Sequence, residues 1–406
     1  MTKRRPVPRE ELLYWIERNL REYVTPEKAR RISRVAGYVG SQALGDFIVE
    51  GLYCATVARM AGADQLCLLY KDDRPYKNFL MACNPYATAA IGFPAEEPIP
   101  MDWFDIGNYP ANAAPDWWYD RMMHVPDLVL TPSTLVNLAH LEHFAKLRIP
   151  PRRIDELAAG LKRAGTPETA WLVGLHIREQ GYVYRQGMDD ARNSDPLAFL
   201  PLIDRIIAEG GVVVRIGDPS MTPLPPRAGL VDLSQVPDSF ELQAFAFSRA
   251  RFTICSVSGP AVMSMAFGTP TLFHNHYNPN EGANPGDLVM LQTVIHDDGT
   301  PMPWQAVVDN GLTMFPLEMI IACRDLLPRY GINDPRLNVC RLEPHTMDEI
   351  VWATERMLEG TEDRCAPWPQ FQDPKCEIVP SNSFSLPVAT RPAKGRLYYR
   401  GELVTR

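Results

Sequence analysis

Apolar positions in this 406-residue chain fall into short unbroken runs, separated by stretches in which they recur at helical spacing. The runs predict buried parallel strands, and the spaced stretches predict amphipathic helices between them. Leu12, Leu13, Ile16, Leu20 and Tyr23 share one helical face and predict a peripheral helix over residues 10–23. Then come “ISRVAGYVG”, “SQALGD”, “FIVEGLYCATVARMAG” and “QLCLLY”, the strand, loop, helix, strand order of a parallel α/β unit. Residues 75–126, rich in Pro, Asn and Trp, predict irregular loops around short elements. A short strand “DLVL” and a helix near residues 135–147 follow.

“IPPRRIDELAAGLKRAGTPE” predicts a proline-started helix closed by Gly-Thr-Pro, which sets a domain seam near residue 165. Beyond it the alternation becomes regular. Strand “AWLVGLHI” precedes helix “DPLAFLPLIDRIIAEGG”, with Asp195 as N-cap and Pro196 in its first turn. Strand “VVVRIGD” precedes helix “DSFELQAFAFSRA”, opened by an Asp238/Glu241 capping box. Strand “FTICS”, helix “SGPAVMSMAFG” and strand “TPTLF” follow, and “TMDEIVWATERMLEG” carries a second capping box, Thr346 with Glu349. The expected fold class is α/β, with two doubly wound domains over residues 1–165 and 166–360. A proline-rich tail, 361–406, ends in a hairpin “GRLYYRGELVTR” and is expected to pack back on the first domain.

The formal net charge of -8 offers no general attraction for phosphate polymers or anionic membranes, so nucleic acid is excluded as an expected partner. Any anion site must be local. No apolar run is long enough to span a bilayer, and a cytoplasmic protein is expected. The eight cysteines form no C-x-x-C and several lie in apolar runs, which predicts reduced, buried thiols rather than zinc.

In open α/β sheets ligands bind beyond the carboxyl ends of strands, so polar residues that follow strands are the candidates. “VGLHIREQGY” delivers His176, Arg178 and Glu179, and its polar connection adds Arg185 and Arg192. “VVVRIGDPSM” delivers Arg215, Gly217 and Asp218. “CSVSGPAVMS” leads from Ser256 and Ser258 through Gly259 and Pro260 into a helix. Guanidinium forks at neighbouring strand tips, set beside the N–H groups of a helix start, suit a diphosphate. The plain structural alternative is salt bridging of the arginines with Glu179 and Asp218, with the serines as turn and cap chemistry. In the first domain Gly45 and Asp46 stand at a helix start, Asp46 being either an N-cap or a general base. His274, Asn275 and His276 end a strand near the serine loop, suited to sugar or nucleotide contact or to structure, while His140 and His143 lack a third ligand. Neither G-x-G-x-x-G nor G-x-x-x-x-G-K-[ST] occurs, which argues against a nicotinamide dehydrogenase and a nucleoside triphosphatase. No D-x-D occurs either, so metal independence and no cofactor are expected.

The stretches “VGLHIREQGY”, “RNSDPLAFLPLIDRIIAEGGVVVRIGDPSM” and “FTICSVSGPAVMSMAFGTPTLFHN” resemble a family of bacterial glycosyltransferases with the GT-B fold, two Rossmann-like domains facing across a cleft. The His-x-Arg element is similar to that of fucosyltransferases, which implies that Arg178 binds a donor diphosphate. “LGDFIVEGLY” and “SGPAVMSMAFGTPTLF” resemble heptosyltransferases, which implies Asp46 as catalytic base on an acceptor-side domain and a phosphate contact at the later loop. Glu179-Gln180-Gly181 departs from the basic residues of the fucosyltransferase pattern. The resemblance implies an inverting, metal-independent transfer of a hexosyl or deoxyhexosyl group. The expected donor is a GDP-, UDP- or dTDP-linked nucleotide sugar, and the expected acceptor is a hydroxyl of a carbohydrate, small molecule or peptide. Arg178 and Arg215 would stabilise the leaving diphosphate, with Asp46, or second Glu179, as base. The alternatives are a nucleotide-sugar 2-epimerase and a non-catalytic nucleotide or carbohydrate binder.

Overall fold

The computed structural model describes residues 33–60, 63–94, 128–130, 145–179, 192–276, 284, 286–296, 298–309, 340–371 and 395–404. The expected helix at 10–23, most of the one at 135–147, His140, His143 and Arg185 lie outside them. The described chain divides between Pro151 and Arg152 into two compact units.

The first unit is a parallel sheet built on β1 (Arg34–Val39), β2 (Gln65–Asp72), β3 (Ala89–Pro94) and β4 (Leu128–Leu130), in the order β3-β2-β1-β4. Helix α1 (Leu44–Met60) crosses between β1 and β2, burying Phe47, Leu52, Cys54 and Ala55. Gly37 permits this approach, because a Cβ there would stand 2.6 Å from the Cys54 sulfur. A short helix α2 (Lys77–Ala82) and β3 are short elements within the stretch expected as irregular loops around such elements, where their bounds could not be read. Their apolar runs are too short to stand out from the surrounding polar sequence. Ala145 to Leu147, expected as a helix end, carry no regular structure.

The second unit begins with α3 (Pro151–Arg163), so the seam lies at its start and not near residue 165. Packing explains the shift: Arg153 pairs with Glu241, and Gly160 faces Leu242 closely enough that a Cβ would sit 3.0 Å from it. The sheet contains β5 (Trp171–His176), β6 (Gly211–Arg215), β7 (Leu230–Asp232), β8 (Phe252–Ser256), β9 (Thr271–His276), β10 (Leu288–Leu291), β13 (Arg396–Tyr399) and β14 (Glu402–Leu403). Its order is β14-β13-β10-β9-β8-β5-β6-β7, parallel throughout except for the terminal β13/β14 hairpin. β11 (Thr293–His296) and β12 (Cys340–Glu343) form a separate antiparallel pair.

Helices cover both faces of this sheet, as a doubly wound fold requires. On one face α4 (Leu200–Ala208) and α8 (Met347–Gly360) bury Leu202, Ile203, Ile350 and Met357 against Val173 and Leu175. On the other, α5 (Phe240–Arg249) brings Phe247 against Gly174, where a Cβ would meet the ring at 2.6 Å. α6 (Gly259–Phe267) joins β8 to β9, and α7 (Trp304–Asp309) follows β11. Asp195 caps the 3-10 turn that opens α4, accepting from Leu197 N–H at 2.9 Å, and the Thr346/Glu349 box caps α8.

Two further expectations are corrected. The Asp238/Glu241 box does not form. Asp238 adopts a positive φ of 53°, Ser239 becomes the N-cap residue, and its hydroxyl turns back to the carbonyls of Leu233 and Val236. The terminal hairpin joins the sheet of the second unit rather than packing on the first. β13 pairs with β10, and the Tyr399 hydroxyl accepts from Val294 N–H at 3.1 Å and donates to Met302 O at 2.7 Å. The beginning of the expected tail also belongs here, since buried Trp368 donates to Pro167 O through its indole at 2.9 Å. Residues 372–394 lie outside the described residues.

Candidate anion site at the strand tips

In the second unit the chain leaves β5 in two directions, through β6 and β7 on one side and through β8, β9 and β10 on the other. The carboxyl ends of β5 and β8 therefore flank the point where strand order reverses, the place where open α/β sheets bind ligands. His176 ends β5 and Ser256 ends β8, and His176 is register partner of Cys255.

These tips are tied together by hydrogen bonds. His176 Nδ1 lies 3.1 Å from Ser258 Oγ, and Ser258 Oγ donates to Ser256 O at 3.0 Å. One hydroxyl proton cannot serve both contacts, so all three atoms are satisfied when His176 carries its proton on Nδ1. Burial holds the His176 pKa down to about 3, and the Arg178 and Arg215 cations push the same way. The imidazole is thus neutral near pH 7. Arg178 N–H donates to the buried Ser256 Oγ at 3.3 Å, and Arg178 O accepts from Ser194 N–H at 3.0 Å. The backbone of Arg178 is anchored on both sides beside the start of α6. Ser258 precedes that helix in an extended conformation, with Gly259 and Pro260 opening it. A helix start offers N–H groups outside the helical ladder and the positive end of its dipole.

Arg215 is placed differently from its expected role as a diphosphate contact. It is 0% exposed: Nη1 donates to Asp232 at 2.9 Å and Thr222 O at 2.7 Å, and Nη2 to Glu179 Oε1 at 2.7 Å. The second Glu179 oxygen accepts from Thr222 N–H at 3.0 Å. Glu179 therefore joins the tip of β5 to the loop after β6, with both carboxylate oxygens engaged. The pairing of Arg215 with Glu179 fits the structural alternative, whereas its second acid is Asp232 rather than Asp218. Asp218 accepts from Ser220 N–H at 2.9 Å and shapes the loop locally. Gly217 is clamped by the Gln243 amide, accepting from Nε2 at 3.0 Å and donating to Oε1 at 3.1 Å.

At the tip of β9, His274 is buried against Phe199, with ring centroids 5.4 Å apart. Neither of its ring nitrogens has a hydrogen-bond partner among the described residues. Burial, then the neighbouring His345, His176 and His276, hold its pKa down to about 3. Asn275 takes a positive φ of 49° and is committed to structure: its side chain donates to Ser194 Oγ at 3.2 Å and accepts from His345 N–H at 2.7 Å. Asp232, Gln243 and His345 were not singled out by sequence reasoning. Each bonds to a residue 17 or more positions away in the chain, and no local pattern marks them.

In the first unit the reversal of strand order falls at β1. The loop after it leads to Gly45 and Asp46 in the half-buried first turn of α1. Glu50, one turn further on, is 3% exposed and folds back to accept from Ser41 Oγ at 2.6 Å and Ser41 N–H at 3.1 Å. Among the described residues no group of three or more His, Cys, Asp or Glu is placed to hold a metal ion, and no helix is long and apolar enough to cross a membrane.

No protein-family model matches the sequence, and no curated protein matches it. Among solved structures, the chain is similar to a family 9 glycosyl transferase from Veillonella parvula at 12% identity, covering 80% of this chain and 97% of that one, with a TM-score of 0.47. It is also similar to the ADP-heptose lipopolysaccharide heptosyltransferase II of E. coli at 13% identity, covering 73% and 99%, TM-score 0.41. For E. coli heptosyltransferase WaaC with ADP the identity is 12%, the coverage 73% and 98%, and the TM-score 0.31.

Proposed function

We propose that the protein is an inverting, metal-independent glycosyltransferase whose second unit holds the diphosphate of a nucleotide sugar at the tips of β5 and β8. One observation carries this reading. At the point where strand order reverses, a neutral His176, an anchored Arg178 backbone and the Ser258-Gly259 helix start are fastened to one another. Such a constellation is preorganised for charge that develops on a departing phosphate.

In the proposed reaction the acceptor oxygen bonds to the anomeric carbon as the bond from that carbon to the β-phosphate oxygen breaks. The acceptor proton passes to Asp46. Arg178 and the N–H groups at the start of α6 stabilise the leaving diphosphate. Arg215 and Glu179 take a supporting part, holding residues 217–222 in place. The base assignment falls to Asp46 because Arg215 and Thr222 N–H already occupy the Glu179 carboxylate.

A thermal-shift series with UDP, GDP, CDP and dTDP in the presence of EDTA tests the site, since a ligand that binds the native state raises its melting temperature. One nucleotide is expected to respond and to lose its effect in Arg178→Ala. The matching nucleotide sugar should then be consumed only when an acceptor is supplied. Conversion without acceptor would mark a 2-epimerase, and binding without consumption across a broad acceptor panel would mark a binding protein. Absence of any response would refute the site.

A further inference from the structure

Arg178 lies just beyond β5, where the strand ladders on either side have ended. Its carbonyl is held by Ser194 N–H, at the far end of the connection that leaves the strand. Bringing the two ends of such a connection together costs chain entropy, so this bond is firm only as far as Ser194 is itself held. We propose that Asn275, clasped to His345 just before α8, is a positioning residue that holds Ser194 and, through it, the backbone of Arg178. The inference rests on the transferase reading, which gives Arg178 its contact with the donor diphosphate, and deepens it by naming what keeps that residue in place.

The buried Asn275 amide is divided between two partners: Nδ2 donates to Ser194 Oγ at 3.2 Å, and Oδ1 accepts from His345 N–H at 2.7 Å. Turning the amide over would set its donor against the His345 N–H, so its orientation follows from these partners. The Asn275 N–H in turn donates to His345 Nδ1 at 3.1 Å, and His345 Nε2 lies 3.1 Å from Leu291 O. A proton on Nε2 satisfies both contacts. A proton on Nδ1 could be donated to Asn275 Oδ1, also 3.1 Å away, but it would set Nε2 and Leu291 O, both acceptors, against each other. Asn275 also holds a positive φ of 49°, a conformation that asparagine tolerates better than most residues. One residue type thus supplies the backbone turn, the donor and the acceptor that this position uses.

Both halves of the clasp belong to fixed elements. Asn275 lies in β9, and His345 directly precedes the Thr346/Glu349 capping box of α8, whose Ile350, Ala353 and Met357 are buried in the core. Ser194, by contrast, has no strand or helix of its own. Support therefore runs from β9 and α8 through the Asn275 amide to Ser194, and from Ser194 N–H to the Arg178 carbonyl. The Arg178 N–H is held separately by Ser256 Oγ at 3.3 Å. With the peptide groups on both sides of its Cα fixed, the arginine has less freedom to lose when it meets an anion. Glu179 is braced independently by Arg215 and Thr222 N–H, so losing the Asn275 amide should loosen the Arg178 carbonyl without releasing the loop after β6.

The test has two arms, each read on two variants. Asn275→Gly removes the amide yet accepts the positive φ, and Ser194→Ala removes only the acceptor of that amide. In amide hydrogen exchange followed by NMR, the amide of residue 194 should exchange about five- to tenfold faster in either variant, while the amides of β5 and β6 keep their protection. In calorimetry with UDP, GDP, CDP and dTDP, the nucleotide that binds should lose about three- to tenfold in affinity, the range for one neutral hydrogen bond. The matching monophosphate, which lacks the β-phosphate on which charge develops, should lose less than about twofold. A merely structural role would weaken both ligands alike, or lower the melting temperature and leave affinity untouched. Unchanged exchange at residue 194, no loss for the diphosphate, or equal losses for the two ligands overturns the positioning role. If no nucleotide binds the unmodified protein, the transferase reading fails and the donor contact goes with it. Exchange at residue 194 is read without any ligand, so the two failures are told apart.

Discussion

Titration from neutral pH into the acid range perturbs the second unit at two enclosed imidazoles, His176 and His274. Each has its folded pKa held near 3, chiefly by burial, against an unfolded value of about 6.5. Between those values the unfolded chain binds a proton at each histidine and the folded chain does not. Stability from these groups is therefore complete above the unfolded value and falls as pH drops toward the folded one. One proton of difference corresponds to about 1.4 kcal/mol per pH unit, so the two together remove roughly 3 kcal/mol between about pH 5.5 and about pH 4.5. Carboxylates add slopes of their own, so the decisive quantity is a difference between proteins. His274→Phe removes one titrating group without stranding a hydrogen-bond partner, because neither ring nitrogen bonds to a described residue. Urea unfolding of both proteins, followed by near-ultraviolet circular dichroism, should show the slope of unfolding free energy against pH smaller by about 1.4 kcal/mol per unit in the variant. Equal slopes in the two proteins would refute the view that His274 is held neutral by burial.

Arg178→Ala should leave the melting temperature of the nucleotide-free protein unchanged and lower turnover on the order of 100-fold or more, the usual loss for one charge-stabilising donor; steady-state rates with the responding nucleotide sugar check this. Arg215→Met should be a stability mutation instead, costing about 3–5 kcal/mol in urea unfolding, because it strands the largely enclosed carboxylates of Glu179 and Asp232 without their partner. Gly217→Ala would place a Cβ 2.2 Å from the Met221 sulfur, so the Met221 side chain or the loop after β6 must shift. Nucleoside diphosphate affinity measured by calorimetry should fall while the melting temperature changes little.

The strands of the second unit were legible because parallel strands covered on both faces read as unbroken apolar runs, as in “GVVVR” and “FTICS”. In the main sheet β7 and β10 were missed, as was the separate β11/β12 pair. β7 is only three residues long, and β10 follows a polar stretch with no helix pattern to announce it. The positions of the candidate residues were legible at the level of strand tips, since a helix start after “CSVSG” and a His-x-Arg after “WLVGL” occupy places fixed by sheet topology alone. Partnership was not legible. A sequence shows that Arg215 ends a strand, but Glu179 lies 36 positions before it and Asp232 17 after, so its two acids emerge only when β5, β6 and β7 align.

This pairing changes how the proposed anion site must balance charge. Arg215 with Glu179 and Asp232 sums to one negative charge, and His176 adds none while neutral. Of the two arginines first expected to meet a diphosphate, the proposal keeps the direct role for Arg178, and Arg215, paired with Glu179 and Asp232, is architecture beneath it. The proposal draws the rest of the stabilisation from dipoles, namely the N–H groups at the start of α6, next to which His176 contacts Ser258. Dipoles attract at shorter range than full charges, so raising salt should slow nucleotide association less than it would at a site lined by several arginines. Stopped-flow association rates at low and high ionic strength would show this as a shallow dependence, and a steep one would mean that further cations reach the ligand.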